Sequence, residues 1–215
     1  FPPHATDHPD PLTRLKGALT RALDDDIDAA ARRELLGSAW DEADRALGTA
    51  SALLDIARAE SGLSRDLFQA VDLGVLIAGL AELFEPTLED AGQSLAVESP
   101  DQPLAIQAHE LLLRQALGDL LFNASRYAGP GARVRITAEA TPEGARIIVA
   151  DTGPGVPAAE RGRVVERFVR LDPARTSPGS GLGLAIAAAC AKLHQGRLTL
   201  EDNDPGLRVV MDLSR

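Results

Sequence analysis

Aromatic residues make up only 3% of this 215-residue chain, with one tryptophan, one tyrosine and five phenylalanines. Leucine, alanine, isoleucine and valine must therefore do most of the packing, and an apolar share of 45% is enough for a real core. The net charge of −10 leaves no basic surplus. A sequence-independent grip on nucleic acid needs a basic face, so that class of partner is set aside. The only cysteine, Cys190, has no partner for an internal disulfide, which fits a reducing compartment. Four scattered histidines with one cysteine give no zinc spacing. No run of eighteen apolar residues exists, so membrane contact is not expected in this segment. The chain opens on Phe1 rather than Met and is expected to be part of a longer protein.

Two regions of different periodicity follow a proline-rich start. Leu12, Leu15, Leu19, Ala22 and Leu23 fall at three- and four-residue steps, which predicts an amphipathic helix. Asp24-Asp25-Asp26 begins a turn. A second helix carries Leu35, Leu36, Ala39, Trp40, Ala43, Leu47, Ala50, Leu54 and Ala57 on one side and stops at Gly62. Two antiparallel helices cannot bury both stripes alone, so a four-helix bundle formed with a second copy is expected. This gives a helical-hairpin dimerisation domain at 1–62 and a connector at 63–70. Residues 71–215 form a second domain.

In that second domain, Val71-Asp72-Leu73 reads as a strand edge running into a helix, with Leu73, Leu76, Ile77, Leu80, Leu83 and Phe84 on one face. Short strands are expected at 94–98 and 103–106. A strong helix spans Glu110 to Tyr127, its core face built from Leu113, Leu117, Leu120, Leu121 and Ala124, and Ala128-Gly-Pro-Gly131 ends it. Strands follow at 134–138, 146–150, 197–200 and 207–213, the last two joined around Asn203-Asp204-Pro205-Gly206. The expected fold class is multidomain: an all-α hairpin followed by an α/β sandwich, a mixed sheet with its helices on one face.

The chemistry concentrates between Asp151 and Leu184. A branched apolar strand ends on a lone carboxylate, Asp151, and Gly153 and Gly155 let the backbone turn. Gly179-Ser180-Gly181-Leu182-Gly183-Leu184 opens an apolar helix, whose free N–H groups and dipole favour a phosphate. A purine at one end and phosphates at the other fits this layout. A third island lies upstream, on the 110–127 helix. Asp119 and Asn123 sit one turn apart on one face, and Arg126 reaches the same side. An amide oxygen is a suitable hard ligand for Mg²⁺, which takes few protein oxygens and leaves the rest to phosphate and water. A dinucleotide fold is disfavoured, because no early βαβ unit carries a Gly-x-Gly-x-x-Gly turn.

Asn123, Asp151-x-Gly153-x-Gly155, Phe168 and Gly181-Leu-Gly183 occur in this order, and together they resemble the N, G1, F and G2 boxes of bacterial sensor histidine kinases. That family shares its ATPase fold with gyrase B, a heat-shock chaperone and mismatch-repair ATPases. The resemblance extends to 54–62 and 71–73, so it covers the whole chain. It implies that Asp151 accepts a hydrogen bond from the adenine amino group, with Gly153, Gly155 and Val156 around the base. It implies that Asn123 holds Mg²⁺ and that Arg126 and Tyr127 line the phosphate and ribose side. Phe168 and residues 169–180 become a lid, and the backbone from Gly179 and Ser180 through Gly181, Leu182, Gly183 and Leu184 cradles phosphates. The implied partners are a second copy through the hairpin and the receiver domain of a response regulator. The implied location is the cytoplasm, whether or not a sensor or membrane segment precedes residue 1.

Two departures from the family pattern shape the functional reading. Many members carry a second Asn where this chain has Asp119, and an acidic residue there is what the hydrolytic relatives use to activate water. In the phosphoacceptor box the ungapped register places Thr6 at the position of the histidine, with Asp7, Pro11 and Leu12 matching. Thr cannot form a nitrogen–phosphorus bond. His8 reaches the acceptor position only in a gapped register, where Pro9 disfavours a helical conformation before it, and His4 is further off. Three activities therefore stay open: a histidine autokinase acting through His8, an ATP-binding scaffold without self-phosphorylation, and an ATPase using Asp119. His109 and His194, beside helix ends, are expected to cap rather than to catalyse.

Overall fold

The computed structural model describes residues 11–23, 27–28, 31–33, 35–37, 39, 43, 67–166, 169, 171 and 181–214. The chain separates into two compact units, Phe1–Leu54 and Asp55–Arg215. In the first, α1 spans Pro11–Ala22. Proline opens it, as suits a residue with no N–H to donate at a helix start. Residues 31–33, 35–37, 39 and 43 are helical, in line with a second helix, and the remainder of that expected helix lies outside the described residues. Leu19, Leu23 and Leu36 are exposed.

The second unit begins with β1, Gln69–Asp72, which opens two residues before the expected strand edge. Asp72 accepts hydrogen bonds from the N–H groups of Gly74 (2.9 Å) and Val75 (3.3 Å) and so caps α2, Leu73–Asp90. Leu73, Leu76, Ile77 and Leu80 are buried as expected, whereas Leu83 is 69% exposed. At the edge of the apolar stripe, it has turned away from the sheet. Next come β2 (Ser94–Glu98), β3 (Ala105–Ala108), α3 (Glu110–Tyr127), β4 (Arg133–Thr141) and β5 (Gly144–Asp151). A 3₁₀ turn at Ala158–Glu160, then α4 (Gly183–Leu193), β6 (Arg197–Asp202) and β7 (Leu207–Ser214), complete the order.

Five strands form one sheet in the order β2-β4-β5-β7-β6, with β2 parallel to β4 and every other pair antiparallel; β1 and β3 make a separate antiparallel pair. The three helices form a single layer across the sheet: α2 lies over β2 and β4, α3 over β5, and α4 over β6 and β7. Register explains the sidedness. Ile136, Val149 and Val209 stand in one row and Ala138, Ile147 and Met211 in the next, all buried on the helical side. One residue along, Arg146 faces Glu139 and Asp212 on the open side, at 3.6 and 2.7 Å, and Arg197 joins Asp212 at 3.2 Å. The apolar layer fixes where α3 and α4 run, and those two helices carry two walls of the site.

Candidate functional site

The sequence islands meet along α3, the Asp151 turn at its C-terminal end and the start of α4 beside Asp119 and Asn123. Asp151 is the last residue of that strand, half-buried beside the turn that follows. Its Oδ1 accepts the N–H of Gly153 at 2.8 Å, which folds the chain sharply over the carboxylate. Thr152 ties the turn to β4: its N–H donates to the Arg133 carbonyl (3.1 Å), and its hydroxyl accepts the Arg133 N–H (2.9 Å). Gly153 lies flat on the end of α3. A Cβ there would stand 2.4 Å from the Ala128 Cα and 2.8 Å from its oxygen, so no side chain fits. This contact sets the Asp151 turn against the helix end bearing Asn123, Arg126 and Tyr127.

A second close approach joins α3 to α4. A Cβ on Gly183, the first residue of α4, would lie 3.2 Å from the Asn123 Nδ2 and 3.2 Å from the Asp119 Cβ. Asp119 and Asn123 thus face the N-terminal turn of α4. The first N–H groups of that helix have no carbonyl one turn earlier to bind, and they point the helix dipole at the same space. Gly181 holds a left-handed φ of +68°, and Leu182 is buried just before the helix. Burial pushes the Asp119 carboxyl up to about 6. Burial also raises Asp151, against the opposing effect of the N–H groups of Gly153 and Leu207. Both carboxylates are partly stripped of water, and both gain from a bound donor or cation.

Arg126 is half-buried, its guanidinium 5.7 Å from the ring centroids of both Phe122 and Tyr127. Tyr127 is 46% exposed, available to a ligand lying on the helix end. Val156 continues from Gly155, and its carbonyl accepts from the Arg161 Nε at 2.9 Å, while the same guanidinium reaches Asp202 at 3.0 Å. Leu184 is half-exposed in the first turn of α4. Phe168, Gly179 and Ser180 lie outside the described residues, as do the other lid positions except Val169 and Leu171. His8, the candidate acceptor, and Thr6 lie outside them too.

The donor set suits a magnesium nucleotide. Among the described residues no group of three or more His, Cys, Asp and Glu side chains converges, so no cage made of protein alone is present there. The Asn123 amide and the Asp119 carboxylate offer hard oxygens beside a phosphate-favouring helix start, as a Mg²⁺ that keeps phosphate and water ligands requires. At the other end, Gly153 packs on Ala128 with no room for a side chain, which keeps the Asp151 turn close to the end of α3.

Several residues that shape the site carried no motif. Gln93, between α2 and β2, is buried and donates through Nε2 to the carbonyls of Ser125 and Gly129, each at 3.1 Å, holding the end of α3. Asn203 and Gly206, expected only as a hairpin turn, lie against Asp151. The two neighbouring histidines brace the far side. His109 caps α3 by accepting the Leu112 N–H (3.3 Å), and its own N–H donates to the His194 Nε2 (3.1 Å). His194, buried with its ring tilted against that of Phe68 (centroids 4.9 Å apart), places Nδ1 2.8 Å from the Cys190 carbonyl. With Nε2 accepting, Nδ1 carries the proton and the ring is neutral. It caps the end of α4, as expected.

A family model for histidine kinase-, DNA gyrase B- and HSP90-like ATPases matches residues 108–215. The sensor protein IrlS of Burkholderia pseudomallei is 32% identical over 200 residues, which is 92% of this chain and 42% of IrlS. The chain thus spans less than half the length of that curated relative. Among solved structures, the mycobacterial sensor histidine kinase MprB is 31% identical with a TM-score of 0.60, over 68% of this chain and 97% of that one. Histidine kinase ThkA, solved with the response regulator protein TrrA, shares the fold at 20% identity and a TM-score of 0.67, over 95% of this chain and 57% of that one.

Proposed function

The chain belongs to the histidine kinase-, DNA gyrase B- and HSP90-like ATPases, and on that premise we propose that it is the Mg-ATP-binding core of a sensor histidine kinase. The observation that carries this reading is the double closure of the site. Gly153 is pressed on Ala128, and Gly183 on Asp119 and Asn123, so α3 has the Asp151 carboxylate brought to its end, for the base, and a helix start brought to its side, for the phosphates. Asp151 accepts the adenine amino group. Asn123, with the Asp119 carboxylate beside it, would hold Mg²⁺, which would neutralise charge on the phosphates. Arg126, kept in place by Phe122 and Tyr127, faces the triphosphate, and the first turn of α4 supplies N–H groups to it. The residues act by positioning and by charge, which is most of what phosphoryl transfer needs. In the reaction, an imidazole nitrogen attacks the γ-phosphorus and ADP leaves; the phosphoryl group then passes to an aspartate of a regulator.

The domain arrangement belongs to the same reading: a dimerising hairpin at 1–62, a connector at 63–70 and the ATP-binding domain at 71–215. The exposed Leu19, Leu23 and Leu36 support a four-helix bundle made by two copies. A monomer by light scattering at micromolar concentration would remove the bundle. That ThkA was captured with a response regulator supports a receiver domain as the partner here. The cytoplasm is the setting in which such a partner is met.

Loss of ATP affinity in Asp151→Asn tests the binding reading, and unaltered affinity would refute it. Incubation with γ-labelled ATP tests the transfer. Acid-labile label that disappears in His8→Ala supports the autokinase, whereas its absence supports a scaffold that binds ATP and a regulator, the reading favoured by Thr6. A plain ATPase has its own support, because a carboxyl with a pKa of about 6 at Asp119 is suited to accept a proton from water near neutral pH. Phosphate release surviving Asp119→Asn would remove it.

A further inference from the structure

The Asp151 carboxylate is held asymmetrically, and the hairpin between β6 and β7 does part of the holding. Oδ1 accepts two backbone N–H groups, from Gly153 at 2.8 Å and from Leu207 at 3.4 Å. Among the described residues, no hydrogen bond reaches Oδ2. The main-chain carbonyl of Asp151 accepts the Asn203 Nδ2 at 2.7 Å. Asn203 also closes its own turn, its N–H donating to the Gly206 carbonyl at 3.1 Å. Gly206 has a φ of +120°, and a Cβ there would stand 1.7 Å from the Asp151 oxygen. On its far side the Gly206 carbonyl oxygen would meet a Cβ on Gly155 at 2.7 Å. The turn is thus wedged between the strand end carrying Asp151 and the loop that follows, and among the described residues Asn203 is the one side chain of the turn that bonds to Asp151.

We propose that Asn203, as the anchor of the β6–β7 turn, is a positioning residue for base selection. It fixes the Asp151 backbone so that Oδ1 stays engaged and Oδ2 alone is presented to the exocyclic amino group of a 6-aminopurine. A hydrogen bond to a carboxylate oxygen depends on direction as well as distance. A site built around one such bond discriminates strongly against a base that lacks the donor. A 6-oxopurine would set its own acceptor against Oδ2. If the turn swings away, the Leu207 N–H leaves Oδ1, the carboxylate rotates, and the discrimination fades while contacts to the phosphates persist. Asn203 touches no nucleotide in this account; it acts through Asp151.

The inference rests on the reading of Asp151 as the adenine-amino acceptor, and the test separates the two. Affinities of the full chain for ATP and for purine riboside triphosphate, which lacks the 6-amino group, are measured with Mg²⁺ by calorimetry. The ratio of the two is the readout, because a general folding defect weakens both alike. Asn203→Ala is expected to lower ATP affinity by roughly tenfold, the scale of one hydrogen bond to a charged group, and to leave the purine analogue within about twofold, so the ratio collapses toward that of Asp151→Asn. If Asp151→Asn keeps the wild-type ratio, the base reading itself fails and the inference with it. If Asp151→Asn abolishes the ratio but Asn203→Ala preserves it, or weakens both nucleotides equally, the base reading stands and the positioning role is overturned. Should Asn203→Ala not fold, Asn203→Ser, which keeps a turn-favouring residue and drops the Nδ2 donor, carries the same measurement.

Discussion

Replacing Asp119 by asparagine should stabilise the nucleotide-free protein, and only above mildly acidic pH. Burial raises the carboxyl from 3.8 to about 6, so in the folded state it resists ionisation. The sign follows from proton binding. Between those two values the folded chain holds a proton that the unfolded chain has released, and stability falls as pH rises through the window. Below about 4 both states are protonated and no penalty exists. Above 6 the full penalty applies, and about two pK units at 1.36 kcal/mol each give roughly 2–3 kcal/mol after allowing for partial solvent access. Asparagine keeps the shape against Gly183 and carries no charge to desolvate. The assay can be confined to the ATP-binding unit, because Trp40 lies in the helical unit while the lone Cys190 is fully buried in α4. Burial raises its thiol further, so the native protein should not react. Denaturant midpoints read by Cys190 labelling with a dithiodipyridine reagent, which works at acid pH, should coincide for the two proteins near pH 4 and diverge steadily to pH 7. Saturating Mg-ATP should shrink the gap, since the wild type recovers its penalty on binding the cation. A stability difference independent of pH, or one larger at pH 4 than at pH 7, would refute the account.

Gly153→Ala and Gly183→Ala should rank in a definite order. The first meets Ala128 backbone that cannot yield and is expected to cost about 1–3 kcal/mol or more and to abolish measurable ATP binding; the second meets the Asn123 amide and the Asp119 Cβ at a milder 3.2 Å, which a shift of a few tenths of an ångström relieves, and should weaken binding only severalfold, both by calorimetric titration. Gln93→Leu strips two carbonyls at the end of α3 of their donor, a loss of about 1–3 kcal/mol, and hydrogen exchange should quicken at residues 126–131. His194 has its pKa lowered by burial, with the charge of His109 adding to that and the Cys190 carbonyl opposing it. A depressed pKa of this kind gives stability that is present above the unfolded value near 6.5 and lost as pH falls through the folded one. His194→Gln should therefore flatten the fall in urea midpoint between pH 7 and 5, measured by circular dichroism, while lowering stability at neutral pH.

Local pattern and long-range pairing were not equally legible. The 110–127 helix, with its 3.6-residue stripe and the glycines behind it, could be read to the residue. β5 and the carboxylate at its end were legible as a strand, because a run of branched side chains stopped by Asp-Thr-Gly has few other meanings, although the strand opens at Gly144 and takes in Asp151, beyond the expected 146–150. The parallel pairing of β2 with β4, and the separate β1–β3 pair, leave no trace in any short window, since register is decided by which faces the helices cover. Leu83 misled because a stripe read at three- and four-residue steps is wider than the face the sheet can bury. Gln93, Asn203 and Gly206 were invisible as site residues for another reason. Each acts on backbone, through an amide donor or an absent side chain, and nothing about a single Asn in a turn says which carbonyl it will reach. The motifs mark the groups proposed to touch a nucleotide, and the groups that hold those groups in place carry no motif.

The place of β7 has a consequence for biosynthesis. It is an interior strand, flanked by β5 and β6, and it delivers Leu207 to a carboxylate 56 residues earlier in the chain. On a ribosome adding about 5–20 residues per second, Asp151 is made some 3–11 s before Leu207 exists. During that interval β5 has an open edge, and the Asp151 carboxylate lacks its second N–H donor. A nascent chain, or one cut short within β6, is expected to carry every glycine box and still fail to hold ATP. Nucleotide capture would then report that the sheet has been finished, and the ligand's stabilising effect would reach only chains that no longer need a chaperone to shield that edge.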